Sequence, residues 1–184
     1  MNKLSVLIGL FIVILIAGAA LVLLPPSANA PTGITETEPT SFAECVADGN
    51  PVMESYPRQC NTPNGGHFIE NIGNALEKQD LIVAATPRPG DSAVSPLTIS
   101  GEARGYWFFE ASFPYELQDA QGNMIAQGPV QATGDWMTEE FVPFTIDITF
   151  PPQPAGSEGT LLLKKDNPSG LPENEDALVI PVVF

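Results

Sequence analysis

"GYWFFEASFPYEL", Gly105 to Leu117, places six aromatic residues in thirteen positions of a chain whose aromatic content is 8%. Such a density has two readings, a buried strand at the centre of a fold or an aromatic surface that meets a ligand. Counting by twos separates them. Trp107, Phe109, Ala111, Phe113, Tyr115 and Leu117 share one face, while Tyr106, Phe108, Glu110, Ser112, Pro114 and Glu116 share the other. The first set is a core and the second is mixed. The register therefore predicts that Trp107, Phe109 and Phe113 are buried and that Tyr106 and Phe108 are accessible.

The same count works on both sides of this stretch. In "FVPFTIDITF", Val142, Phe144, Ile146, Ile148 and Phe150 oppose Phe141, Pro143, Thr145, Asp147 and Thr149. In "LTISGEA", Leu97, Ile99 and Ala103 oppose Thr98, Ser100 and Glu102. Further strands are expected near Leu81–Ala85, Met124–Gln131, Thr160–Lys165 and Ala177–Val183, with Gly, Pro, Asn and Asp turns between them. About seven half-buried strands over residues 81–184 read as an all-β antiparallel sandwich. Pro114, Pro143 and Pro181 lack a ladder donor, which assigns them to edges, bulges or strand switches.

Upstream, "SFAECVADG" predicts a short helix capped by Ser41, with Glu44 three residues on and Gly49 at its end. Tyr56 to Glu70 then reads as a small hairpin with Asn64-Gly65 at the bend. Cys45 and Cys60 are the only cysteines. In an exported segment too small to bury much core they are expected to form a disulfide. Zinc held by Cys45, Cys60 and His67 lacks a fourth ligand at a recognisable spacing. A cysteine nucleophile paired with His67 needs a spare thiol, which an even count does not leave. The segments are thus an anchor at 1–24, a tether at 25–41, a cysteine-paired module at 42–72, a linker at 73–80 and the sandwich at 81–184.

The anchor reading rests on Leu4–Leu24, 21 residues without a charge or a proline. As a helix these cover about 31 Å, the thickness of bilayer hydrocarbon. A cleaved signal peptide is the rival, since Ala28 and Ala30 offer a small-x-small site. Its apolar run is long for that role, and Pro31 stands just after the cut. Lys3 is the only basic residue before the run, which keeps the N-terminus inside. The expected location is the bacterial cytoplasmic membrane, crossed once, with the C-terminal portion outside. Beyond Leu24 lie all 22 Asp and Glu and six of the seven Lys and Arg. That charge repels nucleic acid and is compatible with solubility outside the cell.

Three strings, "PRPGDSAVSPLTISGEARGYWFFEASFPYELQDAQGN", "DWMTEEFVPFTIDITF" and "DNPSGLPENEDALVIPV", occur in that order between Leu81 and Phe184. They resemble the immunoglobulin-like domain of bacterial spore-germination and related envelope proteins. "CVADGNPVMESYPRQC" is similar to a cysteine-paired module of exported bacterial proteins. The resemblance implies an immunoglobulin-like sandwich, an extracytoplasmic setting, and binding or scaffolding rather than catalysis. No catalytic residues come with it.

The residues agree with a non-enzyme. The sole histidine is His67, and no nucleophile elbow, zinc-protease motif or phosphate loop occurs. A glycosidase working through Glu102 and Glu110 is a remote third reading. Calcium is weighed for the oxygen donors Asp166, Asn167, Glu173, Glu175 and Asp176, whose spacing departs from the EF-hand loop. No cofactor is expected. Two function classes remain: a membrane-anchored binding module for cell-wall glycan or an envelope protein, and a structural spacer or subunit of a surface assembly. Tyr106, Phe108, Trp136, Met137 and Phe141 are the candidate ligand-binding residues, with Trp136 alternatively closing one end of the sandwich.

An uncleaved anchor predicts that the protein fractionates with membranes and that protease added to intact cells removes everything beyond about Pro25. A soluble secreted form beginning at Pro31 overturns it.

Overall fold

Ser41 caps the first helix as the sequence suggests. The computed structural model describes residues 38–184, and in it the Ser41 hydroxyl accepts from the Glu44 N–H at 3.1 Å, capping α1 (Phe42–Ala47). The Glu44 carboxylate reaches back to the Thr40 N–H at 2.7 Å, one residue earlier than in a standard capping box. Three short strands follow, β1 (Val52–Met53), β2 (Gln59–Asn61) and β3 (His67–Ile69), paired antiparallel in that order. The bend at Asn64-Gly65 is made by Gly65 at φ +92°. Cys45 in α1 and Cys60 in β2 are fully buried and disulfide-bonded, with Cα atoms 6.2 Å apart. Closing a loop of sequence separation 15 stabilises so small a unit by about 3 kcal/mol on the chain-entropy model.

After a single helical turn, α2 (Ala75–Lys78), come the seven expected strands: β4 (Ile82–Thr86), β5 (Leu97–Arg104), β6 (Ser112–Gln118), β7 (Met124–Gln131), β8 (Phe141–Ile148), β9 (Glu158–Lys164) and β10 (Ala177–Val183). One sheet has the order β4-β5-β8 and the other β10-β9-β6-β7, with every pairing antiparallel. The chain changes sheet after β5, after β7 and again after β8, which is the interleaving of an immunoglobulin-like sandwich. The expected alternation holds in β5 and β8: Leu97, Ile99, Ala103, Val142, Phe144 and Ile148 are buried. They meet Phe113, Leu117, Val130, Leu161, Leu163, Leu178, Ile180 and Val182 of the opposite sheet in one core.

The aromatic stretch does not run as one strand. Gly105–Trp107 is a 3-10 turn. Glu110 and Ala111 then take φ of +49° and +62°, while Phe109 and Ser112 exchange both backbone hydrogen bonds, at 2.9 and 3.0 Å. Positive φ at both central residues is the mark of a type I′ hairpin turn. The reversal exchanges the faces around it. Phe108 is buried at 4% exposure and packs 5.1 Å from Phe113, whereas Phe109 is 42% exposed. The alternation thus assigned Phe108 and Phe109 the wrong way round. It is correct for Trp107, Phe113 and Leu117, which are wholly buried, and for Tyr106, which is half exposed.

Pro181 and Pro143 lie in the edge strands β10 and β8. Pro114 falls in a central strand but opposite Pro129, beyond the pairing with β9, which begins at Tyr115. The segment read as a linker at 73–80 does more than connect. Asn74 donates its side-chain amide to the Ala177 carbonyl at 2.9 Å and accepts from the Val179 N–H at 2.8 Å, supplying the β10 edge with the pair of bonds a neighbouring strand would make. A Cβ on Gly73, at φ +61°, would overlap the Val179 carbonyl, so only glycine lets Asn74 approach. Glu38–Phe184 accordingly forms one compact unit. The apolar run Leu4–Leu24 and the tether up to Thr37 lie outside the described residues. No helix among the described residues is long and apolar enough to cross a membrane.

Phe108→Ala is expected to cost about 3 to 5 kcal/mol and Phe109→Ala under about 1 kcal/mol. Denaturation midpoints of the two variants check the turn directly.

Candidate functional site

Strand direction gathers three loops at one end of the sandwich. Arg104, closing β5, faces Phe141, opening β8; Ser112 faces Gln131; and Lys164 faces Ala177. The β5–β6, β7–β8 and β9–β10 loops therefore meet there. In antibody variable domains the loops at one end of the sandwich carry the binding surface. Here they are bonded to one another. The Asp166 N–H donates to the Trp107 carbonyl at 3.0 Å, and the Gly105 N–H to the Glu140 carbonyl at 3.1 Å. A Cβ on Gly105 would overlap the carbonyl oxygens of Trp136 and Thr138, so the glycine is what lets the β7–β8 loop lie against the β5–β6 loop.

Arg104 fixes the base of this surface. Its guanidinium donates to the Asp80 carbonyl at 3.0 Å and the Glu139 carbonyl at 3.3 Å, lies 3.8 Å from the Glu140 carboxylate, and sits 4.1 Å over the Phe141 ring. A cation over the ring face stabilises both groups and covers Phe141. Trp136 is half-buried and packs against the core, closing this end of the sandwich. Phe108 is in the core and leaves the surface altogether. Of the five candidates, Tyr106 at 50% and Met137 at 77% exposure are open. Phe109 joins them, a residue missed because the turn that turns it outward contains neither Gly nor Asn.

The loops at this end carry Glu110, Asp135, Glu139, Glu140 and Asp166. Burial, reinforced by the charge of Glu110, raises the Asp166 carboxyl above the ordinary aspartate value. The Trp107 indole N–H is buried without an acceptor among the described residues. The calcium donors do not converge: Asp176 is paired with Lys78 at 2.6 Å, and Asn167 closes its own loop onto the Leu171 carbonyl at 2.8 Å. Among the described residues no three His, Cys, Asp or Glu are gathered as a metal site. Glu102 stands mid-strand in β5 opposite Val83 and Pro143, and Glu110 at a loop tip, so the two do not frame a common cleft. His67 hydrogen-bonds Asn61 at 2.7 Å in the cysteine module.

Residues 81–170 match the model of a family described as the immunoglobulin-like domain of bacterial spore germination. The matched segment spans β4 to β9 and stops before β10. No curated protein and no solved structure matches the chain at a significant level.

The raised Asp166 carboxyl carries a sign. An acid whose folded pKa lies above its unfolded value destabilises the fold while ionised, and the penalty lifts as pH falls through the folded value. Asp166→Asn is therefore expected to raise the melting temperature at neutral pH, with the gain shrinking as pH falls into the carboxylate range. Thermal melts at pH 7 and pH 4 check it.

Proposed function

We propose that this chain, whose residues 81–170 match the model of the immunoglobulin-like domain of bacterial spore germination, is a non-catalytic extracytoplasmic binding module, held at the bacterial membrane by residues 4–24, that engages cell-wall glycan or an envelope protein through its loop end. The observation that carries this reading is the exposure of Tyr106, Phe109 and Met137 on loops bonded to one another at one end. Large apolar side chains left in water on a rigid support lose little conformational freedom when covered, so their burial converts efficiently into affinity. Flat aromatic rings also suit the apolar faces of sugar rings.

A structural role is the second reading, a spacer or subunit of a surface assembly. It is favoured by the union of cysteine module and sandwich into one unit, which suits transmission of load better than recognition. The two readings differ in what the exposed side chains do.

The full chain in detergent micelles, incubated with purified cell-wall glycan and separately with envelope extract, is expected to capture a ligand. The double variant Tyr106→Ala/Met137→Ala is expected to lose at least tenfold in capture with an unchanged melting temperature, since both residues are surface changes. Capture that is indifferent to the double variant removes the loop end from the function.

A further inference from the structure

Acid is spread unevenly over the two ends of the sandwich. The loops at the aromatic end, residues 105–111, 132–140 and 165–176, hold eight Asp and Glu against one Lys. Those at the opposite end, 87–96, 119–123 and 149–157, hold two acids and one Arg. Solubility alone asks for no such difference between ends. Of the eight, Glu140 is paired with Arg104 and Asp176 with Lys78, and the other six have no ion-pair partner among the described residues. Lys165, the one base in these loops, is half-buried. Like charges held together without counter-charge repel one another and destabilise the compact state. A partner that supplies the counter-charge relieves that repulsion on binding.

Two of the unpaired acids are gathered by the backbone. The 3.0 Å bond from the Asp166 N–H to the Trp107 carbonyl holds Asp166 beside the turn that carries Glu110 at its tip, and the charge of Glu110 acts on the Asp166 carboxyl. Phe109, exposed, adjoins Glu110 in that turn; Tyr106 is exposed in the same loop and Met137 in the loop bonded to it. Arg104 shows what such surroundings hold. Its guanidinium sits 4.1 Å over the Phe141 ring and 3.8 Å from the Glu140 carboxylate. A ring face for the stem and the cation, with a carboxylate for the head, is the setting that suits a Lys or Arg side chain. Phe109 with Glu110 and Asp166 supplies the same groups, and no Lys or Arg among the described residues pairs with either acid.

We propose that the loop end takes a basic segment of a partner protein, whose Lys or Arg side chains lie over Tyr106 and Phe109 and reach Glu110 and Asp166. This rests on the loop-end reading and narrows its ligand from glycan or protein to protein. Contact with the rings and with Met137 supplies affinity, while the carboxylates select the partner and speed its approach. An anionic wall polymer, or a second copy of this acidic chain, brings like charge against the loops. A neutral glycan would cover the carboxylates without pairing them, at the cost of their hydration.

The test uses the full chain in micelles of a neutral detergent and a fluorescent eight-residue peptide of alternating Arg and Ser, alongside versions with citrulline or Glu in place of Arg. Citrulline keeps the shape of the arginine side chain without its charge. Anisotropy is expected to show binding of the Arg peptide and at least tenfold weaker binding of the other two. Glu110→Gln/Asp166→Asn and Tyr106→Ala/Met137→Ala are each expected to lose at least tenfold. Glu54→Gln/Glu158→Gln removes the same charge from exposed positions outside these loops and is expected to bind as the unaltered protein does, which separates a site from bulk attraction. Melting curves check each fold, and Asp166→Asn alone, expected to lose at least threefold, decides the matter if the turn at Glu110 does not survive substitution. The proposal is overturned by absence of binding at millimolar Arg peptide, by equal binding of the Arg and citrulline peptides, or by equal losses in the two carboxylate variants. Purified cell-wall glycan captured through Tyr106 and Met137, and unaffected by Glu110→Gln/Asp166→Asn, also overturns it while leaving the loop-end reading intact. Arg-peptide binding that is indifferent to Tyr106→Ala/Met137→Ala removes both.

Discussion

The reversal at Glu110-Ala111 is the constraint on which the sandwich depends. Two consecutive non-glycine residues in left-handed conformation cost roughly 1 to 2 kcal/mol each, and nothing in their side chains relieves it. What holds them is the burial on either side. Trp107, Phe108 and Phe113 are each buried, and full burial of a large apolar side chain is worth about 1.5 to 3 kcal/mol. Phe113 in turn lies 5.1 Å from Phe144, edge to face, so the turn is tied through two rings to the opposite sheet. Without the reversal β6 could not cross to pair with β7 and β9, and there would be no second sheet.

The same turn creates the candidate surface. Where a straight strand would have alternated its aromatics, the 3-10 turn and the reversal send Trp107 and Phe108 inward together and Tyr106 and Phe109 outward. Core and display surface are thus two outcomes of one backbone choice. The β7–β8 loop is added through Gly105 and Arg104, and the β9–β10 loop through the Asp166 N–H. Acids accumulate on these loops, and the raised Asp166 carboxyl is the local consequence.

Edge protection links the two halves of the described chain. The cysteine module is too small to hold itself by apolar burial alone, and its disulfide compensates. The sandwich has an edge at β10 that would otherwise present bare backbone, and Asn74 occupies it with a side chain that mimics peptide geometry. Ile72, buried just ahead of Asn74, completes the junction. Both parts gain from the union.

The sequence by itself determined the number of the sandwich strands and, outside the aromatic stretch, nearly their limits, because alternation in "FVPFTIDITF" and "LTISGEA" reports directly which face is dry. It also determined the cap at Ser41 and the Cys45–Cys60 pair, since each depends on neighbours close along the chain or on a count of two. Only the tertiary structure decided what happens at Gly105–Ser112. A type I′ turn is legible when Asn-Gly writes it, whereas Glu-Ala is held there by the burial of residues on both sides, which periodicity does not record. The covering of Phe141 by Arg104 and the role of Asn74 were likewise illegible. Each depends on which distant strand lies alongside, and one residue's neighbours across a sheet are fixed by the folding of the whole domain.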